Sequence, residues 1–89
     1  MGPTRARRRI RDLARAGRWE FTAHALESLA DGDASVEDVF IVLTTAKECH
    51  SEPSGRWRLS GPDRLGDPLT LIVELHAHVV VVTLFRGDE

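Results

Sequence analysis

Leu69-Thr70-Leu71-Ile72-Val73-Glu74-Leu75-His76-Ala77-His78-Val79-Val80-Val81-Val82-Thr83-Leu84-Phe85 is the stretch that decides the fold. It holds two strand-length runs rich in β-branched residues. Only three residues separate them, so 69–75 and 79–85 are expected to pair as a hairpin. The turn lacks Asn-Gly or Asp-Gly, which leaves its type open. Strict alternation would set Val80, Val82 and Leu84 on one face of the last strand, and Val79, Val81, Thr83 and Phe85 on the other.

Moving toward the N-terminus, residues 61–68 read as a loop rich in Gly, Pro and Asp. Arg56-Trp57-Arg58-Leu59-Ser60 alternates polar with large apolar residues, as a half-buried strand does. Trp57 and Leu59 should meet the rest of the core, leaving Arg56, Arg58 and Ser60 on the opposite face. Glu52-Pro53-Ser54-Gly55 is a turn, and 46–51 suits a further strand.

Before Thr44 the period changes to that of helices. Ser35-Val36-Glu37-Asp38 resembles a capping box, and Val36, Val39, Phe40 and Leu43 form one apolar stripe. Thr22 suits the N-cap of a helix over 23–30, with Phe21 and Leu26 spaced as a hydrophobic staple. Residues 4–16 form a first helix on the spacing of Ala6, Ile10, Leu13 and Ala14, stopped by Gly17. Arg8 and Asp12, four apart, are spaced to pair. The last three residues read as a frayed tail. The expectation is one α+β domain over residues 1–89, about three helices followed by a three- to four-stranded antiparallel sheet.

Charge is divided unevenly. Residues 1–18 hold seven arginines and one aspartate, net +6, while the remainder is net −8 and the chain −2. Such a balance excludes bulk attraction to nucleic acid, and only the arginine block could meet phosphate. The plainer reading of that block is a solvated helix face. No apolar run approaches the ~18 residues of a membrane span. The arginines near the start are not followed by the apolar stretch of a secretory signal. Cys49 is the single cysteine, so no internal disulfide forms, and a cytoplasmic setting is expected.

Candidate chemistry centres on His24, in the first turn of the second helix. A histidine base beside arginines that stabilise a pentavalent phosphate is the minimum set for metal-free RNA cleavage. The structural alternative is a histidine packed beside Phe21 and bonded to a sheet carbonyl. Thr83 interrupts a valine run and could stand near the arginines, although threonine is also an ordinary strand residue. His76-x-His78 and Cys49-His50 lack zinc-ligand spacing, so no metal and no cofactor is expected. No phosphate loop, nucleophile elbow or dinucleotide fingerprint is present.

Phe21-Thr22-Ala23-His24-Ala25-Leu26-Glu27, Ser35-Val36-Glu37-Asp38-Val39, Arg58-Leu59-Ser60-Gly61 and Val81-Val82-Thr83-Leu84-Phe85 follow one another in an order that resembles the uncharacterised-domain family numbered 4258. That family runs F-T-x-H-A, I-S-x-E-D-V, G, V-x-T-V-Y, and it is distantly similar to RelE-like and MqsR-like messenger-RNA interferase toxins. The resemblance spans about residues 19–86. It implies a RelE-like fold and a toxin-type endoribonuclease, with His24, Arg58 and Thr83 at the matching polar positions. Arg56 would then bind phosphate, and the first helix, through Arg8, Arg11 and Arg15, would anchor RNA. The implied partners are RNA or the ribosome and a cognate antitoxin protein, with a homodimer as a further assembly and no membrane. Two positions depart from the family: Ser28 stands where it has arginine, and Phe85 where it has tyrosine. A non-catalytic interaction or regulatory module on the same fold is the alternative, using the valine-rich sheet face and Phe85 as its interface.

Overall fold

The computed structural model describes residues 1–87. Helix α1 spans Pro3–Arg15, with proline in its first turn, where a missing N–H costs nothing. Ala6, Ile10, Leu13 and Ala14 are its buried stripe. Burying Ile10 and Leu13 is worth about 1.5–3 kcal/mol each. Gly17 ends the helix at φ +77, a conformation only glycine adopts freely. The Arg8–Asp12 pair is not made; Asp12 instead meets its neighbour Arg11, Nε to Oδ1 3.3 Å.

Thr22 caps α2, Ala23–Ala30, by accepting from the Ala25 N–H at 3.1 Å. Leu26 is 52% exposed, so the start of α2 is set by this cap and not by a buried staple. Ser35 caps α3, Val36–Thr45, in a complete capping box with Asp38. The single apolar stripe expected for α3 divides: Val39, Val42 and Leu43 are buried, while Val36 and Phe40 are exposed.

The strands are β1 Trp19–Phe21, β2 Glu48–Ser51, β3 Trp57–Pro62, β4 Pro68–Leu75 and β5 Val79–Phe85, with a short 3-10 turn at Pro53–Gly55. They form one open sheet in the order β1-β5-β4-β3-β2. The expected sheet of three or four antiparallel strands is therefore five-stranded and mixed, and its first strand precedes two of the helices. β1 is parallel to β5, with Trp19 opposite Val79 and Phe21 opposite Val81. Three residues are too few to show a period of two, and their partner lies at the far end of the chain, so periodicity could not reveal this strand. The loop expected at 61–68 is shorter: Gly61 and Pro62 end β3, Pro68 begins β4, and residues 63–67 remain as the turn. Gly61 lies where α3 ends against β3, and a Cβ there would stand 3.2 Å from Ala46 Cα.

All three helices cover one face of the sheet. Ile10, Leu13, Ala25, Val39 and Leu43 pack with Leu59, Leu71, Val73, Val79, Val81 and Leu84. The other face is uncovered. The β4–β5 register slips between Ile72 and Val73: Ile72 is opposite Thr83 and Val73 opposite Val81, leaving Val82 as the extra residue of a bulge. This changes the expected faces of β5. Val79, Val81 and Leu84 point inward, whereas Thr83 and Phe85, in register with Ile72 and Thr70, belong to the uncovered face. No helix among the described residues is long and apolar enough to cross a membrane. The tail expected at the C-terminus lies, from Asp88 on, outside the described residues.

Candidate functional site

A row of residues crosses the uncovered face: His50, Arg58, Ile72 and Thr83 are successive partners on β2, β3, β4 and β5. Arg58 and Thr83 are thus brought onto one face, flanking Ile72. The adjacent row pairs Ser60 with Thr70 and Thr70 with Phe85, and the Ser60 and Thr70 hydroxyls lie 3.2 Å apart. The Arg58 guanidinium lies over the Phe85 ring, 5.8 Å from its centroid, as a cation–π pair. Phe85 therefore supports the arginine without offering a hydroxyl.

Arg58 on β3 and Arg56, which falls one residue before the strand it was expected to begin, both face carboxylates. Arg56 Nε donates to Glu74 Oε2 at 2.9 Å, and His76 Nε2 lies 3.1 Å from the other oxygen of Glu74. Hydrogen bonds from His76 and Arg56 hold the Glu74 carboxyl below its ordinary pKa. Arg58 is held less well. Its Nε is 3.4 Å from Glu52 Oε2 but makes no hydrogen bond among the described residues, although the atom is buried. A buried, unpaired N–H beside a poorly aligned carboxylate is a contact that a better acceptor can replace.

His24 is exposed and forms neither a hydrogen bond nor an ion pair among the described residues. The expected bond from His24 to a sheet carbonyl is not made; at this end of α2 it is the Thr22 hydroxyl that donates to the sheet, to Val82 O at 2.8 Å. The Thr22 N–H also donates to Val81 O at 3.0 Å. Helix α2 is therefore pinned, at its N-terminal end, to the bulge that turns Thr83 outward. Ser28 is one helical turn beyond His24, on the same side of α2.

Arg8, Arg11 and Arg15 are not brought to this face. They border the outer seam between α1 and α3, on the helical side of the sheet. Arg7, in the same helix, donates to Ala46 O at the end of α3 at 3.0 Å. Cys49 packs against the core, and burial raises its thiol pKa. Among the described residues no three His, Cys, Asp or Glu side chains group as a metal site would require.

No protein-family model, curated protein or solved structure matches this chain.

One charged cluster escaped the sequence reading. Arg86 N–H groups reach Asp63 Oδ2 at 2.7 Å, Asp33 O at 2.8 Å and Pro68 O at 3.0 Å. Asp63 also accepts from the Leu65 and Asp67 N–H groups, and Asp38 accepts from the Ser35 and Arg64 N–H groups. For Asp38 the Ser35 hydrogen bond is the main cause of a lowered pKa. For Asp63 burial pushes the pKa up, but the backbone N–H groups and Arg86 together outweigh it, and the net shift is downward. This cluster ties the end of β5 to the β3–β4 turn and to the start of α3. The only local signal was Asp38 in the capping box; its other contacts join parts of the chain remote in sequence.

Proposed function

We propose that this chain is a toxin-type endoribonuclease with a RelE-like fold, acting on RNA that lies on the uncovered sheet face and crosses the edge of β5 beyond Val81 to meet His24, whose helix is on the covered side. The observation that supports this reading is the β5 bulge, which sets Thr83 on the row of Arg58 while Thr22 pins the helix of His24 to the same bulge. In the reaction His24 takes the proton of a ribose 2′-hydroxyl. The 2′-oxygen attacks the adjacent phosphorus, the bond from phosphorus to the 5′-oxygen breaks, and water supplies the proton to that oxygen. The products are a 2′,3′-cyclic phosphate and a 5′-hydroxyl. Arg58 stabilises the added charge on phosphorus, the Thr83 hydroxyl donates to a non-bridging oxygen, and Arg56 holds a neighbouring phosphate. Phosphate must draw the two guanidiniums away from Glu52 and Glu74.

The test is cleavage of an end-labelled messenger RNA, with and without ribosomes and with a chelator present, together with growth after induced expression. Wild type should arrest growth and leave cyclic-phosphate ends. His24→Ala should lower the rate by on the order of 10²–10⁴-fold, the usual contribution of a general base. Absence of cleavage in both conditions, with His24→Ala indistinguishable from wild type in cells, would sink this reading.

A second reading is favoured by a different observation. Arg56 and Arg58 already face carboxylates, and His24 has no group to orient it. A non-catalytic interaction module on the same fold would show this arrangement, and in that case RNA affinity would not respond to Arg58→Ala.

A further inference from the structure

The two layers of the molecule leave one surface that the RNA reading does not use. Helices α1 and α3 run side by side and antiparallel: Arg7 meets the end of α3, while Gly17 and Trp19 border its start. Between them lies a groove of about 500 Å³ at the end formed by Trp19, Val36, Phe40 and Ile41. Val36 is 52% and Phe40 37% exposed, a large apolar area for so small a chain. The Trp19 and Phe40 rings lie 6.0 Å apart, tilted on each other, and the Trp19 and Phe21 rings 5.3 Å apart, edge to face. This aromatic run is packed within itself and does not present separate platforms for bases.

The α1 border of the seam is cationic. Arg8, Arg11 and Arg15 follow at i, i+3 and i+7, one stripe along the helix. Asp12 beside Arg11 is the single carboxylate with which any of the three forms an ion pair among the described residues. On the α3 border the one acid lining the groove is Glu37. At the Trp19 end the seam has an apolar floor with Arg15 on its rim; toward Ala46 its floor is Leu43, Thr44 and Thr45, with Arg8 and Arg11 on the rim. Two parallel ridges accept a third helix between them, and the 13 residues of α1 give the seam a length of about 20 Å, three to four helical turns.

From this charge complementarity we infer that the α1–α3 seam is a docking site for an acidic amphipathic helix of a partner protein. Its apolar stripe lies on Val36, Phe40 and Ile41, and its carboxylates face Arg8, Arg11 and Arg15. The inference is independent of the ribonuclease reading, because none of its residues lies on the uncovered sheet face.

The experiment titrates the full chain into two fluorescent synthetic helices that share one leucine stripe. One carries glutamates along a single border of the stripe, and the other carries lysines at the same positions. The acidic helix should bind, the basic one should not, and binding should weaken as salt rises. Phe40→Ala and Val36→Glu should each weaken binding about tenfold or more, as loss of a central anchor does. The double variant Arg11→Glu, Arg15→Glu should abolish it, while Arg5→Glu, Arg9→Glu, which changes the same charge off the seam, should leave it within about twofold. Circular dichroism of every variant separates lost binding from lost folding. Equal binding of both helices, or of neither, overturns the inference. So does a short single-stranded RNA whose binding is lost with Arg11 and Arg15. So does self-association of the chain, by sedimentation, that Val36→Glu abolishes.

Discussion

The arginines of the sheet face and those of α1 are the same residue in two different electrostatic settings. Arg56 and Arg58 stand on a sheet face where cross-strand and turn carboxylates meet them, and Arg58 lies over Phe85. Arg8 and Arg15 stand on a helix whose one acid is taken by Arg11. The chain is nearly neutral, yet its cations are divided into a restrained group and a free group on opposite sides of one sheet. The restrained group suits chemistry at a defined place. The free group suits a partner that brings its own negative charge. Net charge alone would have merged them.

Arg86 marks the limit of the restrained kind, and breaking it should have the largest effect. Arg86→Ala takes the cation from Asp63 and the donor from the Asp33 and Pro68 carbonyls, and should lower the urea midpoint by more than Arg58→Ala does. The same cluster sets the acid response. Asp38 and Asp63 have folded pKa values below their unfolded ones, so the stability they contribute is present above about pH 4 and lost as pH falls through the folded values. The urea midpoint should be nearly level from pH 7 to 5 and fall steeply below pH 4, and Asp63→Asn should flatten that fall. An equal fall in the variant would show that the cluster is not the acid-sensitive element.

Arg58→Ala comes next. It should lower affinity for a short single-stranded RNA about tenfold, the scale of one lost charged contact, while shifting stability by less than about 1 kcal/mol. A smaller shift follows from the poor alignment of Glu52. Glu52→Gln removes a competing charge and should raise RNA affinity about two- to threefold, roughly the free energy of one exposed ion pair. Unchanged or weaker affinity would mean that Glu52 positions Arg58 and does not compete with phosphate. The smallest effect belongs to α1. Arg8→Glu and Arg15→Glu should each change stability by no more than about 0.5 kcal/mol and leave RNA affinity unaltered. If RNA affinity falls with either, the two arginine groups serve one ligand and the division fails.

Much of the local structure was legible. Thr22 and Ser35 cap the helices they were expected to cap, because capping needs only a hydroxyl and the next few N–H groups. The β4–β5 hairpin followed from two β-branched runs with three residues between them. The face of Thr83 was not legible by counting. Alternation from Val79 puts it inward, and the bulge at Val82 puts it outward, beside Ile72 and Arg58. The α3 stripe was legible as one apolar side but not its division into a buried and an exposed part, because periodicity records which residues share a side, not how much of that side another element covers.

The sequence by itself determined the helix starts, the stop at Gly17, the turns and the alternation of β3, since each depends on neighbours within a few residues. Tertiary structure alone decided the parallel pairing of β1 with β5, the bulge, the Arg86 cluster and the separation of the arginines. Each of these depends on which distant residue arrives opposite, and on which face of the sheet the helices leave open. Periodicity in one chain segment carries no information about either.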